Sequence, residues 1–289
     1  MQVYSLNNLR KSLDCFCNKN FFFEQLIYKI PPKCEIDFKI DKKKYHRSFF
    51  YCKNCNHWFS DLKNINLGNL YEGNFNNSIY KNKFLKTFKK IIKLPKSKSD
   101  NFQRSKRIKN FSDNFFKNFD KKYLKIFDIG SGMGVFPFVM KKFGYNCEAV
   151  DPDKNAVKHI IKNVKIKAYC GDFLKIKSKK KYNIITFNKV LEHVVNPVLL
   201  LKHSQKFLKK NNSIIYVELP DGEQAIKTLE GKNKQEFTID HLHVFSLQSL
   251  EKLLRLGGFI SLLSSRYIEP SGKVTISAFA KPISSLRKN

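Results

Sequence analysis

The chain has 289 residues, room for one sizeable core plus a small extra module. Its formal net charge of +31 comes from lysines scattered through every segment, with arginine scarce. Nucleic-acid recognition favours clustered arginine forks, so the charge is read first as a bias toward Lys, Asn, Ile and Phe, with a nucleic-acid partner kept as the alternative. No apolar run has transmembrane length and no signal peptide is read, which predicts a cytoplasmic protein.

Residues 1–73 hold five of the seven cysteines and little helical periodicity. The odd total argues against a secreted disulfide framework. Phe49 to Cys55 reads as a strand running into a Cys-x-x-Cys turn. Cys52 and Cys55, joined by Cys15 and Cys17, would close a four-thiolate structural Zn2+ site and supply folding energy that a small module lacks. Cys15 and Cys17 are separated by one residue, where a zinc knuckle usually has two; Cys34 and His57 are further ligand candidates.

Residues 74–122 read as a basic helical linker. Phe84, Leu85, Phe88, Ile91 and Ile92 form one apolar pattern, and Phe111, Phe115, Phe116 and Phe119 another. Pro95 to Ser99 marks a break between them.

Residues 123–289 change character. Tyr123 to Phe127 predicts a strand, followed by Asp128, the turn Gly130-Ser131-Gly132-Met133-Gly134, and an apolar helix from Val135 to Phe143. Glycine lets such a turn bend sharply and lets a ligand approach the backbone. The Gly-x-Gly-x-Gly spacing separates it from the Gly-x-Gly-x-x-Gly of dinucleotide enzymes. A second strand, Cys147 to Val150, ends in Asp151, placed to accept both hydroxyls of a ribose. A third, Ile166 to Cys170, ends in Gly171-Asp172-Phe173, where Asp172 can accept from an adenine amino group and Phe173 can cover the ring. A fourth, Tyr182 to Phe187, runs into Asn188, a weaker cofactor candidate, and then Leu191-Glu192-His193, expected only to shape the loop. Each strand-end carboxylate has a competing use as a helix cap. Further strands are predicted at 213–219, 259–264 and 273–280, with a helix over 247–256 capped by Ser246 and closed by Gly257-Gly258.

In that order, these motifs resemble the class I S-adenosylmethionine (AdoMet)-dependent methyltransferases over about residues 121–281. The resemblance implies an α/β fold: a seven-stranded Rossmann-like sheet with helices on both faces. It also implies AdoMet as cofactor, held by Asp128, Gly130, Ser131, Gly132, Gly134, Asp151, Asp172, Phe173 and Asn188.

The cysteine-rich module ahead of this domain is similar to that of the nucleotide-deoxysugar C-methyltransferases. The segment Phe237 to Ser246 resembles that branch's Glu-His-x-x-Tyr-Phe-Ser, with Asp240 for Glu and Val244 for the aromatic. Tyr71 to Tyr80 stands where those enzymes carry an aromatic segment. This branch implies an anionic nucleotide-linked or polysaccharide-precursor sugar as acceptor. In it His241 takes the acceptor's proton, while Asp240 fixes the imidazole tautomer. The alternatives are an RNA acceptor and a catalytically silent scaffold.

Overall fold

The computed structural model describes residues 15–17, 22–37, 40–41, 45–62 and 84–286. The Tyr71–Tyr80 segment lies outside the described residues.

Five parallel strands form the heart of the larger sheet: β4 (Lys125–Ile129), β5 (Asn146–Asp151), β6 (Lys167–Cys170), β7 (Ile184–Asn188) and β8 (Ile214–Pro220). The strands β10 (Phe259–Ile268) and β11 (Val274–Pro282) form an antiparallel hairpin, and β11 docks antiparallel on β8. The order β10-β11-β8-β7-β4-β5-β6 matches the expected seven-stranded Rossmann-like sheet. The chain leaves β4 toward β5 on one side and returns to β7 on the other. The crevice at that reversal, beyond the carboxyl ends of the strands, is where such sheets bind ligands.

The central strands are apolar on both faces, as sheets covered twice must be. Phe127, Ile185, Ile215 and Val217 pack into one cluster with Leu200 and Leu201 of α5 (Pro197–Ser204) and Leu250 and Leu253 of α7 (Leu247–Leu256). Their neighbours Ile126, Ile184, Ile214 and Tyr216 point the other way, into a cluster with Phe136 and Met140 of α3 (Val135–Lys142) and Ile108 of α2 (Asp100–Phe115). This alternation is the period-two signature of strand geometry.

Local signals set the helix ends. Ser99 accepts from Phe102 N to start α2, Asn196 accepts from Leu199 N ahead of Pro197, and Ser246 and Ser249 form a reciprocal cap on α7. The expected strand at Tyr123 begins later, because Lys121–Tyr123 forms a 3-10 turn capped by Asp120. The helical segment before the sheet packs onto it: Phe111 stacks on Phe279 of β11 at 3.8 Å. Ahead of it, α1 (Phe84–Ile92) sets Phe88 against His159 of α4 (Lys154–His159), with ring centroids 5.0 Å apart.

A smaller antiparallel sheet has the order β1 (Phe22–Tyr28), β2 (Arg47–Cys52), β3 (His57–Asp61), β9 (His243–Val244). Its last strand comes from far along the chain, after the loop that carries His241. Among the described residues, no helix is long and apolar enough to cross a membrane.

Candidate active site

A cleft of about 840 Å³ opens at the carboxyl ends of β4, β5, β6 and β7. Its size suits a nucleoside-sized ligand together with a second molecule.

One wall is the glycine turn. Gly130, Gly132 and Gly134 all have positive φ. A Cβ on Gly130 would lie 2.7 Å from Val190 Cγ2, while one on Gly132 would meet nothing within 4 Å. The turn is therefore pressed against the β7 loop at Gly130 and open at Gly132.

Asp128 lies beneath this turn rather than in it. Its carboxylate accepts from Ser131 Oγ at 2.5 Å, Thr186 Oγ1 at 2.6 Å and Asn188 Nδ2 at 2.8 Å. Burial raises its pKa, and those three donated bonds oppose the rise. Asp128, Ser131 and Asn188 thus form one knot that shapes the loop. Asn188 Oδ1 is buried without a hydrogen-bond partner.

Asp151, the last residue of β5, accepts from Gly132 N at 2.7 Å and Asp153 N at 2.9 Å. Burial, helped by the nearby Asp153 and Asp128, pushes its pKa up to about 6, although both backbone bonds pull it down. Asp153, unremarked in the sequence, starts α4 by accepting from Asn155 N at 2.7 Å. Asp172 also caps, accepting from Leu174 N at 2.9 Å. Phe173 is 5% exposed, its ring packed against Phe207 at 5.2 Å and Phe127 at 5.9 Å. Most of that ring serves the core, which leaves little of it to cover a ligand.

The opposite wall brings together residues distant in sequence: Glu192, His193, Asp240 and His241. The rings of His193 and His241 lie 4.8 Å apart. His193 Nδ1 is 2.8 Å from the Asp240 carbonyl, and His241 Nδ1 is 2.8 Å from the Glu236 carbonyl. A carbonyl only accepts, so each Nδ1 donates, and a neutral ring then carries its lone pair on Nε2. This corrects the expected role of Asp240: the Glu236 carbonyl fixes the His241 tautomer. The Asp240 carboxylate sits 3.7 Å from His193 Nδ1 and 3.9 Å from His241 Nε2, beyond hydrogen-bond length. Burial raises its pKa, but the two histidines outweigh that and hold it below the ordinary range.

Glu192 and His193 lie in a 3-10 turn, Leu191–His193, as expected of loop-shaping residues, and they also line the cleft. Glu192 is 1% exposed, and neither carboxylate oxygen has a hydrogen-bond partner. The only sequence signal was the Glu-His pair itself; its partner His241 arrives through the fold.

The smaller sheet holds this wall from behind. Arg47 Nη2 donates to the Phe237 carbonyl at 2.5 Å and to Glu35 at 3.0 Å, while Ile239 N donates to Glu35 at 2.7 Å. Ser60 N donates to the Leu242 carbonyl at 2.8 Å.

The four thiols come together as expected. Cys15 Sγ lies 3.1 Å from Cys55 Sγ and 3.3 Å from Cys17 Sγ, and Cys17 Sγ lies 3.7 Å from Cys52 Sγ. Bonds of about 2.3 Å to one tetrahedral zinc would set sulfurs at nearly this separation. The one-residue gap between Cys15 and Cys17 does not prevent the cluster. Cys34 and His57 stay outside it: Cys34 donates to the Asn233 carbonyl at 2.8 Å, and His57 pairs with His243 at 3.1 Å.

The sequence matches the methyltransferase domain family over residues 99–261, more than half of the chain, and the chain belongs to that family. The ribosomal protein L11 methyltransferase of Campylobacter jejuni is 30% identical over 107 residues, 35% of this chain and 36% of its own length. The chain thus spans about a third of that relative. The ubiquinone biosynthesis O-methyltransferase of Pelagibacter ubique is 27% identical over 183 residues, 59% of this chain and 69% of its own. Among solved structures, the plantazolicin methyltransferase BpumL has a TM-score of 0.53 at 17% identity, covering 72% of this chain and 95% of its own. The magnesium protoporphyrin IX methyltransferase of Synechocystis PCC 6803 gives 0.52 at 11%, covering 72% and 98%. These two share the fold.

Proposed function

We propose that the protein transfers a methyl group from AdoMet to a small acceptor bound between the glycine turn and the Glu192–His193–Asp240–His241 wall. The observation that carries this reading is the pairing of the two walls across one cleft. Asp151 accepts the ribose hydroxyls, Asp172 the adenine amino group, and the exposed backbone around Gly132 lies against the cofactor. Asp128, Ser131 and Asn188 keep that backbone in place. The sulfonium methyl is already activated, so the protein's work is to align the acceptor, exclude water and accommodate the acceptor's lost proton. We assign that last task to the wall around His241.

The acceptor we favour is an anionic nucleotide-linked sugar. Lys189 and Lys273 line the cleft, and the net charge of +31 would draw in such a substrate. The four cysteines hold a structural zinc that steadies the smaller sheet and, through β9, the His241 loop.

The test is methyl transfer from labelled AdoMet into a cell extract separated into small acid-soluble molecules and RNA. Label in the nucleotide-sugar fraction, lost with His241→Ala, is the expected result. Label in RNA would overturn the acceptor class, and no label in any fraction, despite AdoMet binding, would overturn the enzymatic reading.

A further inference from the structure

Glu192 poses a physical problem. A buried carboxylate without hydrogen bonds costs several kcal/mol unless a positive charge compensates it. Its oxygens have no hydrogen-bond partner, and the nearest imidazole nitrogen, His193 Nε2, is 4.0 Å away. The buried Lys189 is near enough to act on it electrostatically, but shares its charge with Glu218 and donates to Thr275 Oγ1 at 3.3 Å. Yet the chain holds the residue firmly: the Glu192 carbonyl accepts from Leu242 N at 2.8 Å, which ties it to the His241 loop.

We propose that Glu192, His193 and His241 form a divalent-cation site on the acceptor side of the cleft. One ligand atom from each lies within 4.8 Å of the others. Bonds of about 2.1 Å to a common ion would draw them closer. Both imidazoles are prepared for this. Each donates Nδ1–H to a backbone carbonyl at 2.8 Å, leaving Nε2 as the ligand atom. That is the outer-shell arrangement that orients metal-bound histidines. One carboxylate and two imidazoles favour a transition ion such as Mn(II), Fe(II) or Zn(II) over Mg(II) or Ca(II). Three protein ligands leave open positions for an oxygen of the acceptor. The ion would then hold the acceptor oxygen facing the cofactor and lower its pKa so that its proton leaves to solvent. That is how the wall around His241 would accommodate the proton, with His241 as a ligand rather than a free base. This inference deepens the methyltransferase reading and rests on it for the acceptor's identity.

Direct binding tests the site without reference to turnover. The full chain is titrated with Mn(II), chosen because thiolates compete poorly for it, and the free-ion EPR signal is followed. Binding of S-adenosylhomocysteine is measured in parallel by calorimetry. Wild type should take up about one Mn(II) per chain, and Glu192→Gln and His193→Ala should each weaken that uptake by at least about tenfold. Both variants should still bind S-adenosylhomocysteine, which shows that they are folded. No Mn(II) uptake by wild type at about millimolar ion, or equal uptake by wild type and either folded variant, would overturn the site. Mn(II) uptake without S-adenosylhomocysteine binding would instead sink the methyltransferase reading and leave the metal site standing.

Discussion

Glu218, buried on β8, accepts from Arg104 of α2 through Nε at 2.8 Å and Nη2 at 2.5 Å. Its second oxygen accepts from Arg107 Nη2 at 2.9 Å. Burial would raise the Glu218 pKa, but the charge and hydrogen bonds of Arg104 outweigh it, and the value falls to about 2. A depressed carboxylate contributes stability above its ordinary value of 4.5, and loses it as pH falls toward 2. Glu218→Gln should cost about 3–5 kcal/mol at pH 7, because it strands buried Arg104 without its counter-charge. Urea unfolding at pH 7 and pH 3 checks this: the wild-type protein should lose more stability on acidification than the variant does.

Asp151 titrates in the opposite sense. Its folded pKa of about 6 lies above the ordinary 3.8, so the folded ligand-free protein keeps a proton that the unfolded chain has released. Stability of the ligand-free protein therefore falls as pH rises through that interval. Ribose hydroxyls need the ionised form as acceptor, so AdoMet should bind about tenfold more weakly at pH 5 than at pH 7. Calorimetry across that range should show proton release on binding, and Asp151→Asn should flatten the profile. A pH-independent Kd in the wild-type protein would remove Asp151 from the cofactor site.

Two alanine substitutions in the glycine turn should separate strain from ligand contact. Gly130→Ala meets Val190 Cγ2 at 2.7 Å with φ at +67°, and should cost about 2–4 kcal/mol through overpacking and left-handed strain. Adding Val190→Ala should recover part of that loss. Gly132→Ala has open space around its new Cβ, so only about 1–2 kcal/mol of backbone strain is expected. Its larger effect should be on AdoMet affinity, measured by calorimetry. Unchanged affinity would place the cofactor away from this turn.

The thiol cluster predicts a resident metal. Elemental analysis of the purified chain should find about one zinc, bound by four thiolates. Cys52→Ser should lose most of it and lower the melting temperature. AdoMet binding should survive, since the cluster lies outside the cofactor cleft. Full metal retention in Cys52→Ser would show that these thiols hold no ion.

The strands, the glycine turn and the caps were legible because they obey local rules. Alternation along β4, β7 and β8, the spacing of Gly130, Gly132 and Gly134, and Ser246 ahead of an apolar helix each lie within a few residues of sequence. Strand edges slipped by one or two residues where a turn competed, as at Lys121–Tyr123. The roles of polar residues were less legible. Asp128 looked like a ligand-facing acid; it does line the cleft, but three of its acceptor positions are taken by Ser131, Thr186 and Asn188. Glu192 looked like a loop former and does sit in such a turn, but it is also a buried carboxylate without a hydrogen-bond partner.

The sequence by itself determined the strands, helices and glycine turn in their chain order, because hydrophobic period and turn chemistry act between near neighbours, and the seven-stranded sheet followed from the family those motifs resemble. Only the tertiary structure decided that Glu192, His193 and His241 face one another, and that a strand beyond His241 completes the sheet of the cysteine-rich module. Those contacts join segments that no local period links. They exist because folding the large sheet carries the β7 loop and the β9 loop to the same end of the molecule. There a buried carboxylate and two imidazoles, each oriented by a backbone carbonyl, come within reach of one another.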